Sequence, residues 1–534
     1  MKRLYVSFVI FIIHFFILSI SFGQDKKLFI DKAILKEYIR SFNELDDELY
    51  SQYIPNSQAE QFLENNIPLF ECPDKQLEKT YYFRWWTYRK HIKRTSEGYV
   101  ITEFLPQVDW SGKFNTINCA VGHHFYEGRW LHNSDILAEY AQFWFTGGGN
   151  PRTYSCWLAD AIYNYHLIHP HTELIQKLYP YLKKNYIMWE AEKRDSTGLF
   201  WQTDNRDGME LSVSGKFAPE GQGYRTTINS YMYSEANALS KMATELGYPE
   251  EATLFKKRAE ELRKLINEKL WNKKSSFYEV IPKNGTNKFS GVRELHGFTP
   301  WYFNIPPISY SIAWEQLMNT YGFFAPYGPT TVEQRCPDFT ISYEGHECQW
   351  NGPSWPYSTS VTLVGLANLL NNYSQKIISK SDYMTILKQY SISQQLIKNN
   401  GIIISWIDEN LNPFTGDWIS RTILKNRETN IKNGVVGTEE RGKDYNHSTF
   451  CDLIISGLVG IRPQENDILI VNPLLPEHWW DYFCLDNISY KNHILTILYD
   501  KNGKKYNCGK GFMIFVDGNL KVKTNQLQKI ELKL

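Results

Sequence analysis

The sequence has no excess of charge of either sign, since 58 basic and 58 acidic side chains give a formal net charge of zero. A broad basic field that would attract a polyanion is therefore absent, and we expect no nucleic-acid partner. Low-complexity tracts and internal repeats are also missing. With 42% apolar and 22% charged residues, the composition is typical of a globular protein with a sizeable core.

No C-x-x-C pair occurs among the eight cysteines, so the spacing of a zinc site is absent. The adjacent pair His123 and His124 does not suggest a metal, because neighbouring side chains on a helix or strand point in different directions. We therefore predict neither a metal nor a cofactor. Cys336 and Cys348 are the closest pair in the sequence, and export would permit disulfides as optional staples.

Only one long apolar run occurs, from Leu4 to about Ile20, and it follows the basic start Met-Lys-Arg. Small residues, Ser21 and Gly23, stand at the −3 and −1 sites before Gln24. This pattern is typical of a secretory signal peptide over residues 1–23, with a retained anchor helix as the alternative. We expect an exported protein, periplasmic or secreted, without a membrane partner once the signal is removed.

Aromatic residues are abundant: they make up 15% of the chain, with 17 Trp and 35 Tyr. Flat aromatic faces stack on the C–H faces of sugar rings, so this abundance favours a carbohydrate partner, although a helical core also absorbs aromatics. The sequence does not indicate an oligomeric state.

Helical periodicity dominates from about residue 30 to 460. It predicts helices at 135–145, 154–168, 172–190, 227–246, 250–269, 356–372 and 381–399. After Arg462-Pro463, short apolar runs at 468–471, 495–499 and 512–516 alternate with Asn- and Gly-containing turns, which predicts strands and hairpins. We predict a helical catalytic domain with an N-terminal lead-in over 24–462 and a small β-sandwich-like domain over 463–534.

Three long polar loops carry carboxylates together with Gly, Trp and Asn, and loops of this length are usually functional. The first is Gly208-Met-Glu-Leu-Ser212, which follows Asp204 and Asp207. The second is Trp350-Asn-Gly-Pro-Ser-Trp355, and the third is Glu409-Asn-Leu-Asn-Pro-Phe-Thr-Gly416, between Asp408 and Asp417. Each loop alone is also compatible with a polar surface turn.

In this order the three motifs resemble those of the (α/α)6-barrel glycosidases, the glycoside hydrolase 63 and trehalase-like group, and especially its mannosylglycerate-hydrolase-like bacterial branch. The resemblance covers roughly residues 80 to 460. It implies a mainly α fold, a toroid of six helical hairpins, followed here by the small β-domain. It also implies a secreted hydrolase that cleaves glycosidic bonds, inverts the anomeric configuration and acts from a chain end.

The resemblance also implies the catalytic residues. Glu210 occupies the place of the general acid, which is an Asp in that group, so this chain departs from the pattern by one methylene. Asp207 is the alternative acid if the matching is shifted by three residues. Glu409 takes the role of general base on water. Such a pair requires carboxyl groups about 6.5–9.5 Å apart across one cavity, with the acid's pKa raised.

Further residues follow as substrate-binding candidates. The resemblance places the loop around His124, Glu127, Arg129 and Trp130 at the sugar pocket, although the rival explanation is packing. Trp350, Asn351 and Trp355 belong to the second motif. His447, in the turn Asp444-Tyr-Asn-His447, could hydrogen-bond a sugar hydroxyl, while N-capping explains its neighbours.

Two other functions remain open from the sequence. A polysaccharide lyase on a related toroid would use Tyr231, Tyr233 and His447 to remove a proton beside a uronate and would give an unsaturated product. A non-catalytic carbohydrate-binding protein could retain the same fold, since fold alone does not establish activity.

Overall fold

The computed structural model describes residues 28–398, 400–428 and 439–534. The predicted signal peptide at 1–23 lies outside the described residues. Within the described part, every helix is too short or too polar to pass through a lipid bilayer.

Helices make up most of the chain up to residue 460. They are α1 Lys32–Leu45, α2 Asn56–Asn66, α3 Lys75–His91, α4 Val121–Gly128, α5 Asp135–Thr146, α6 Leu158–His166, α7 Thr172–Lys193, α8 Thr226–Glu245, α9 Pro249–Leu265, α10 Thr299–Tyr302, α11 Pro356–Asn372, α12 Lys380–Ser393 and α13 Ile419–Glu428. The described residues also contain 3-10 segments, among them Leu295–Phe298 and Ile308–Gln316, and two π-helical segments, Ile266–Leu270 and Leu453–Leu458.

Burial separates these helices into an inner and an outer set. Every residue of α4 is buried, and nearly all of α8 and α11 are. By contrast, α9 buries only Phe255, Ala259 and Leu262, a stripe at i, i+4 and i+7. A helix buried on all sides lies in the interior of a large domain, whereas a helix with one apolar stripe covers its outside.

The inner segments form a closed ring. Each inner segment contacts the next one along the chain: α4 contacts α6, α6 contacts α8, α8 contacts α10, α10 contacts α11, and α11 contacts the segment Leu453–Leu458. The ring closes because the Glu127 carboxylate of α4 accepts hydrogen bonds from the backbone N–H groups of Phe450, Cys451 and Asp452. The outer members precede the inner ones along the chain: α3, α5, α7, α9, Ile308–Gln316 and α12. The alternation confirms the predicted toroid of six helical hairpins.

The strands are short in the helical part and longer after residue 460. They are β1 Leu69–Glu71, β2 Ile92–Thr95, β3 Gly98–Ile101, β4 Gly223–Tyr224, β5 Trp271–Asn272, β6 Phe277–Tyr278, β7 Ile281–Pro282, β8 Gln395–Ile397, β9 Ile403–Ser405, β10 Ile461–Arg462, β11 Ile468–Val471, β12 Tyr482–Tyr490, β13 His493–Asp500, β14 Gly511–Val516, β15 Asn519–Thr524 and β16 Ile530–Lys533.

The C-terminal region contains two antiparallel sheets. One has the order β10-β11-β16, and the other has the order β1-β12-β13-β14-β15. The second sheet therefore includes a strand from the N-terminal lead-in, with Leu69 opposite Asp486 and Glu71 opposite Cys484. The Asp486 carboxylate also accepts the N–H groups of Phe29 and Ile30. The start of the described chain is thus joined to the C-terminal β-region.

Several element bounds differ from the prediction. The helix predicted at 250–269 ends as α9 at Leu265 and continues as a π-helical turn, and the one predicted at 381–399 ends at Ser393. The suggested disulfides are absent: all eight cysteines, Cys336 and Cys348 included, are free thiols. The large buried core of helices and sheets gives this chain its cohesion without them.

Candidate active site

The three motif loops meet at a cavity of about 330 Å³. Both Glu210 and Glu409 line it, as the catalytic hypothesis requires. Its lining residues are Glu103, Phe104, Trp110, Ile117, Cys119, Tyr154, Asn205, Arg206, Gly208, Glu210, His346, Glu347, Cys348, Trp350, Trp355, Glu409, Arg441 and Tyr445.

The first loop is folded around Asp204, which fixes the position of Glu210. The Asp204 carboxylate accepts hydrogen bonds from Ser212 Oγ at 2.6 Å and from Arg225. Its carbonyl accepts the N–H of Met209 at 3.0 Å. Gly208, at φ +68°, supplies the left-handed turn just before this point. The polar residues of the motif therefore build the loop, and Glu210 is left to face the cavity.

The second loop holds Glu210 directly. The Trp350 backbone N–H donates to the Glu210 carbonyl at 3.2 Å, and the Trp350 indole N–H donates to Glu210 Oε2 at 3.1 Å. The second loop also bonds to the third. The Ser354 N–H donates to the Leu411 carbonyl at 2.9 Å, and the Leu411 N–H donates to the Ser354 carbonyl at 3.0 Å. These backbone hydrogen bonds connect the first loop to the second and the second to the third.

The third loop places Glu409 by means of the buried Asp408. Asp408 Oδ1 accepts the Glu409 N–H at 2.8 Å and the Ser420 hydroxyl at 2.9 Å. Burial raises the pKa of Asp408 to about 6. The side chain is therefore a structural acceptor, and Glu409 is the residue that the loop presents to the cavity.

Both oxygens of Glu409 have partners. Cys348 Sγ donates to Oε1 at 2.8 Å, and Arg441 Nη2 donates to Oε2 at 3.0 Å. Arg441 Nη1 also donates to Glu347 at 2.6 Å. Although burial opposes ionisation of Glu347, these bonds and the Arg441 charge lower its pKa to about 2. Arg441 thus bridges two carboxylates by charge-assisted hydrogen bonds.

Glu210 has the opposite electrostatic environment. Burial, and to a smaller extent the charge of Glu409, raise its pKa to about 7, although the hydrogen bond from Trp350 opposes the shift. A carboxylic acid that keeps its proton near neutral pH can act as a proton donor, while a carboxylate held by Arg441 can act as a base. The cavity therefore contains the two groups that acid–base hydrolysis of a glycosidic bond needs.

Aromatic rings form much of the cavity wall. Trp350 stacks on Trp355 with ring centroids 3.9 Å apart, and Trp355 stacks on Tyr357 at 4.5 Å. At the surface, Trp110 is 48% exposed and lies edge-on to Phe104. Such rings offer apolar faces against which a sugar can pack.

Asp207, the alternative acid, lies elsewhere. Its Oδ2 accepts a hydrogen bond from Thr227 Oγ1, and its Oδ1 is buried without a partner. It lines a separate, very small cavity with Tyr231, Tyr357 and other residues. The structure therefore places Glu210, and not Asp207, in the cavity with Glu409.

Four of the substrate-binding candidates are found in the barrel wall instead of the cavity lining. His124 bonds to Tyr140 at 3.0 Å and to the carbonyl of Asn446 at 2.7 Å. Glu127 closes the ring of inner helices. Arg129 and Trp130 both donate to Asp452 Oδ1, at 2.8 and 2.7 Å. These contacts differ from the expected sugar contacts because α4 is buried on every side.

Of the four remaining substrate-binding candidates, two line the cavity and two do not. Trp350 and Trp355 line the cavity, whereas Asn351 does not and instead accepts the Thr340 N–H on its carbonyl at 2.9 Å. His447 is buried outside the lining, and its ring stacks on Tyr445 at 3.9 Å.

The residues of the lyase hypothesis are not brought together. Tyr231 OH lies 3.3 Å from Tyr357 OH, beside Asp207, whereas Tyr233 OH accepts from Arg263 at 2.6 Å. Tyr233 lines two other cavities, and His447 lines neither of them. This arrangement provides no common site for proton removal beside a uronate.

The cavity is also lined by four residues that lie outside the three motifs: Glu103, Cys348, Arg441 and Trp110. Glu103 and Trp110 lie before the first motif, and Arg441 lies after the third. Cys348 stands two residues before Trp350 of the second motif, so its position next to that motif was the available signal.

Comparison with known proteins agrees with this geometry. Residues 113–448 match the model of the mannosylglycerate hydrolase MGH1-like glycoside hydrolase domain, and residues 461–522 match the C-terminal domain of glycosyl hydrolase family 65. A solved chain named Sialidase is 40% identical, with a TM-score of 0.85 over 94% of this chain and 44% of that one. The present chain thus spans less than half of that relative.

Two more distant structures also match. The GH63 mannosylglycerate hydrolase from Thermus thermophilus in complex with Tris is 13% identical, with a TM-score of 0.48 over 64% of this chain and 99% of that one. An alpha-L-rhamnosidase from Dictyoglumus thermophilum is 13% identical, with a TM-score of 0.49 over 86% and 45% of the two chains. The domain match over 113–448 confirms the resemblance found in the motifs, and the chain belongs to the mannosylglycerate hydrolase MGH1-like glycoside hydrolase family.

Proposed function

We propose that this glycosidase is an exported, exo-acting enzyme that inverts the anomeric configuration, with Glu210 as general acid and Glu409 as general base. The observation that carries the proposal is that both carboxyl groups line one cavity, where the pKa of one is raised to about 7 and the other is bonded to an arginine.

The reaction follows from these two groups. Glu210 gives its proton to the glycosidic oxygen as the bond from that oxygen to the anomeric carbon breaks. Glu409 takes a proton from a water molecule whose oxygen forms the new bond on the opposite face of the sugar. Glu210 ends as a carboxylate and Glu409 as an acid, and proton exchange with solvent restores both.

The shape of the cavity supports action at a chain end. The buried rings of Trp350 and Trp355 line it on the inside, and the exposed Trp110 lines it at the surface. A cavity of about 330 Å³ with this lining accepts the end of a chain more readily than its middle. The pattern at residues 1–23 supports export.

The test is a panel of α- and β-linked oligosaccharides and p-nitrophenyl glycosides, with the first product anomer followed by NMR. We expect a product of inverted configuration, and a loss of kcat of about 10²-fold or more in Glu210→Gln and Glu409→Gln. Asp417→Asn is the matched control, because Asp417 directly follows the third loop and its carboxylate bonds to Thr415 and Tyr343, away from Glu409. A retained anomer, or full activity in either glutamine variant, would contradict the proposal.

The panel also includes a sialoside, since the 40% identical chain is named Sialidase. An acidic sugar needs a cation, and Arg206, whose guanidinium lies 5.6 Å from the ring of Tyr154, lines the cavity. Cleavage of the sialoside would place the named activity in the matched half. Cleavage of neutral glycosides alone would assign it to the remainder of that relative.

A further inference from the structure

A third carboxyl group, Glu103, lines the cavity beside Glu210 and Glu409. Glu103 as a whole is 6% exposed. Oε1 accepts a hydrogen bond from the hydroxyl of Tyr445, whereas Oε2 is buried and has no partner. Leaving a buried polar atom without a partner is unfavourable, so an atom of this kind at a cavity wall indicates a ligand contact.

We propose that Glu103 is a substrate-binding residue whose neutral carboxylic acid donates a hydrogen bond from Oε2 to an oxygen of the sugar held between Glu210 and Glu409. The inference rests on the proposed function and extends it to a residue outside the three motifs. The ligand chemistry it selects is a sugar oxygen with a free lone pair, such as a hydroxyl or a ring oxygen.

The neighbouring groups explain why Glu103 keeps its proton. Burial, and then the charges of Glu409 and Glu210, raise its pKa to about 8, while the hydrogen bond from Tyr445 opposes the shift. Cys119, Tyr140 and Tyr154 are the other titratable groups that interact with it, and burial raises the pKa of all three, so each is neutral at pH 7. At neutral pH, Oε2 therefore carries a hydrogen and can donate.

Tyr445 fixes the orientation of this acid. Its ring packs on Phe104 at 4.5 Å and on His447 at 3.9 Å, so the hydroxyl has little freedom. Because that hydroxyl donates to Oε1, the proton of the acid is left on Oε2. The pair therefore acts as one oriented donor.

The closing experiment compares wild type with Glu103→Gln and Glu103→Leu. Gln keeps an N–H donor in the place of Oε2 and an acceptor for Tyr445, whereas Leu keeps only the volume. Infrared difference spectra of wild type minus Glu103→Gln, without ligand, should show a protonated carboxylic acid at pH 7 that ionises near pH 8. A carboxylate band at pH 7 would overturn the inference whatever the activity.

Kinetics are then measured on the p-nitrophenyl glycoside that the wild type hydrolyses best. We expect KM to rise at least tenfold in Glu103→Leu and to stay within threefold in Glu103→Gln. Above pH 8, KM should increase in wild type but not in Glu103→Gln. Unfolding curves check that both variants fold. If Glu103→Leu misfolds, the pH dependence of KM in wild type and in Glu103→Gln decides whether Glu103 donates to the substrate.

The two proposals fail in different ways. If glycosides are hydrolysed but KM is unchanged in Glu103→Leu, or is independent of pH in wild type, the role of Glu103 is wrong and the proposed function stands. If no glycoside in the panel is hydrolysed, both fall.

Discussion

At the scale of single residues, the candidate site is a contrast between two glutamates of the same chemistry. Glu210 is half-buried and accepts a hydrogen bond from Trp350, whereas Glu409 accepts one from Arg441. Desolvation favours the neutral form of Glu210, and the guanidinium gives Glu409 a charge-assisted hydrogen bond. Surroundings, and not residue type, distinguish the proposed acid from the proposed base.

The hydrogen bond from Trp350 leads to a prediction about pH. Its indole N–H stabilises the charged form of Glu210, so Trp350→Phe removes this donor and should raise the pKa of Glu210 above about 7. Activity of an enzyme that needs this acid protonated falls as pH rises through that pKa, so the alkaline limb of kcat/KM should move to higher pH. In the control Trp110→Phe, which changes a ring of the same cavity but removes no hydrogen bond to Glu210, the limb should stay in place.

Arg441 supports a second prediction. It donates to Glu409 at 3.0 Å and to Glu347 at 2.6 Å, and a lysine cannot reproduce this fork. We expect Arg441→Lys to lower kcat by about tenfold or more with a smaller effect on KM. Glu347→Gln, which leaves Arg441 free to hold Glu409, should lose less. Equal losses in the two variants would show that the bridge does not serve Glu409.

The sequence predicted the cavity residues that belong to the motifs and none of those outside them. Glu210 and Glu409 were identifiable because each stands in a Gly- and Asn-rich loop of recognisable order. Glu103 carries no such mark in the sequence, and Arg441 follows the loops at a distance. Their places depend on how the inner ring closes, which local patterns do not encode.

At the scale of elements, long helices were the easiest to predict. The helix at 172–190 appears as α7 Thr172–Lys193, and that at 356–372 coincides with α11, which starts at Pro356 as proline at N1 favours. By contrast, α4 has only eight residues, all of them buried, and β1 has only three. The secondary structure of such short, buried elements depends on the residues packed around them and is not visible in the local sequence.

The contact between α4 and the last inner segment gives a prediction about stability. Glu127→Ala would leave the N–H groups of residues 450–452 buried without acceptors, at a cost of roughly 1–3 kcal/mol each. We expect the free energy of unfolding in urea to fall by about 3 kcal/mol or more. Glu127→Gln, which retains one acceptor oxygen, should fall less. An unchanged stability with a raised KM would return Glu127 to the substrate site.

At the scale of the whole molecule, the β-region is not an independent appendage. The strand β1 belongs to its larger sheet, and Phe70 lies against Trp480 with ring centroids 6.5 Å apart. The predicted boundary between 462 and 463 therefore separates covalent segments but not the packed structure.

Removing residues 463–534 tests this integration. The truncated chain would expose β1, Phe70 and the apolar surface beneath the sheet, and exposed strand edges favour aggregation. We expect an insoluble product or a chain that lacks a cooperative thermal transition, while coexpression with 463–534 as a separate chain restores solubility. A soluble truncated chain with wild-type Tm would show that the helical toroid suffices.

The pairing of Leu69 with Asp486 also has a kinetic consequence. A sheet whose edge strand is synthesised early and whose central strands are synthesised last cannot assemble while the chain is still emerging from the ribosome. Contacts of such long sequence separation form slowly, since a long loop must close before they give any stability. The larger sheet can thus form only after residues 482–490 have been made, and until then β1 and its apolar neighbours lack their partner strand.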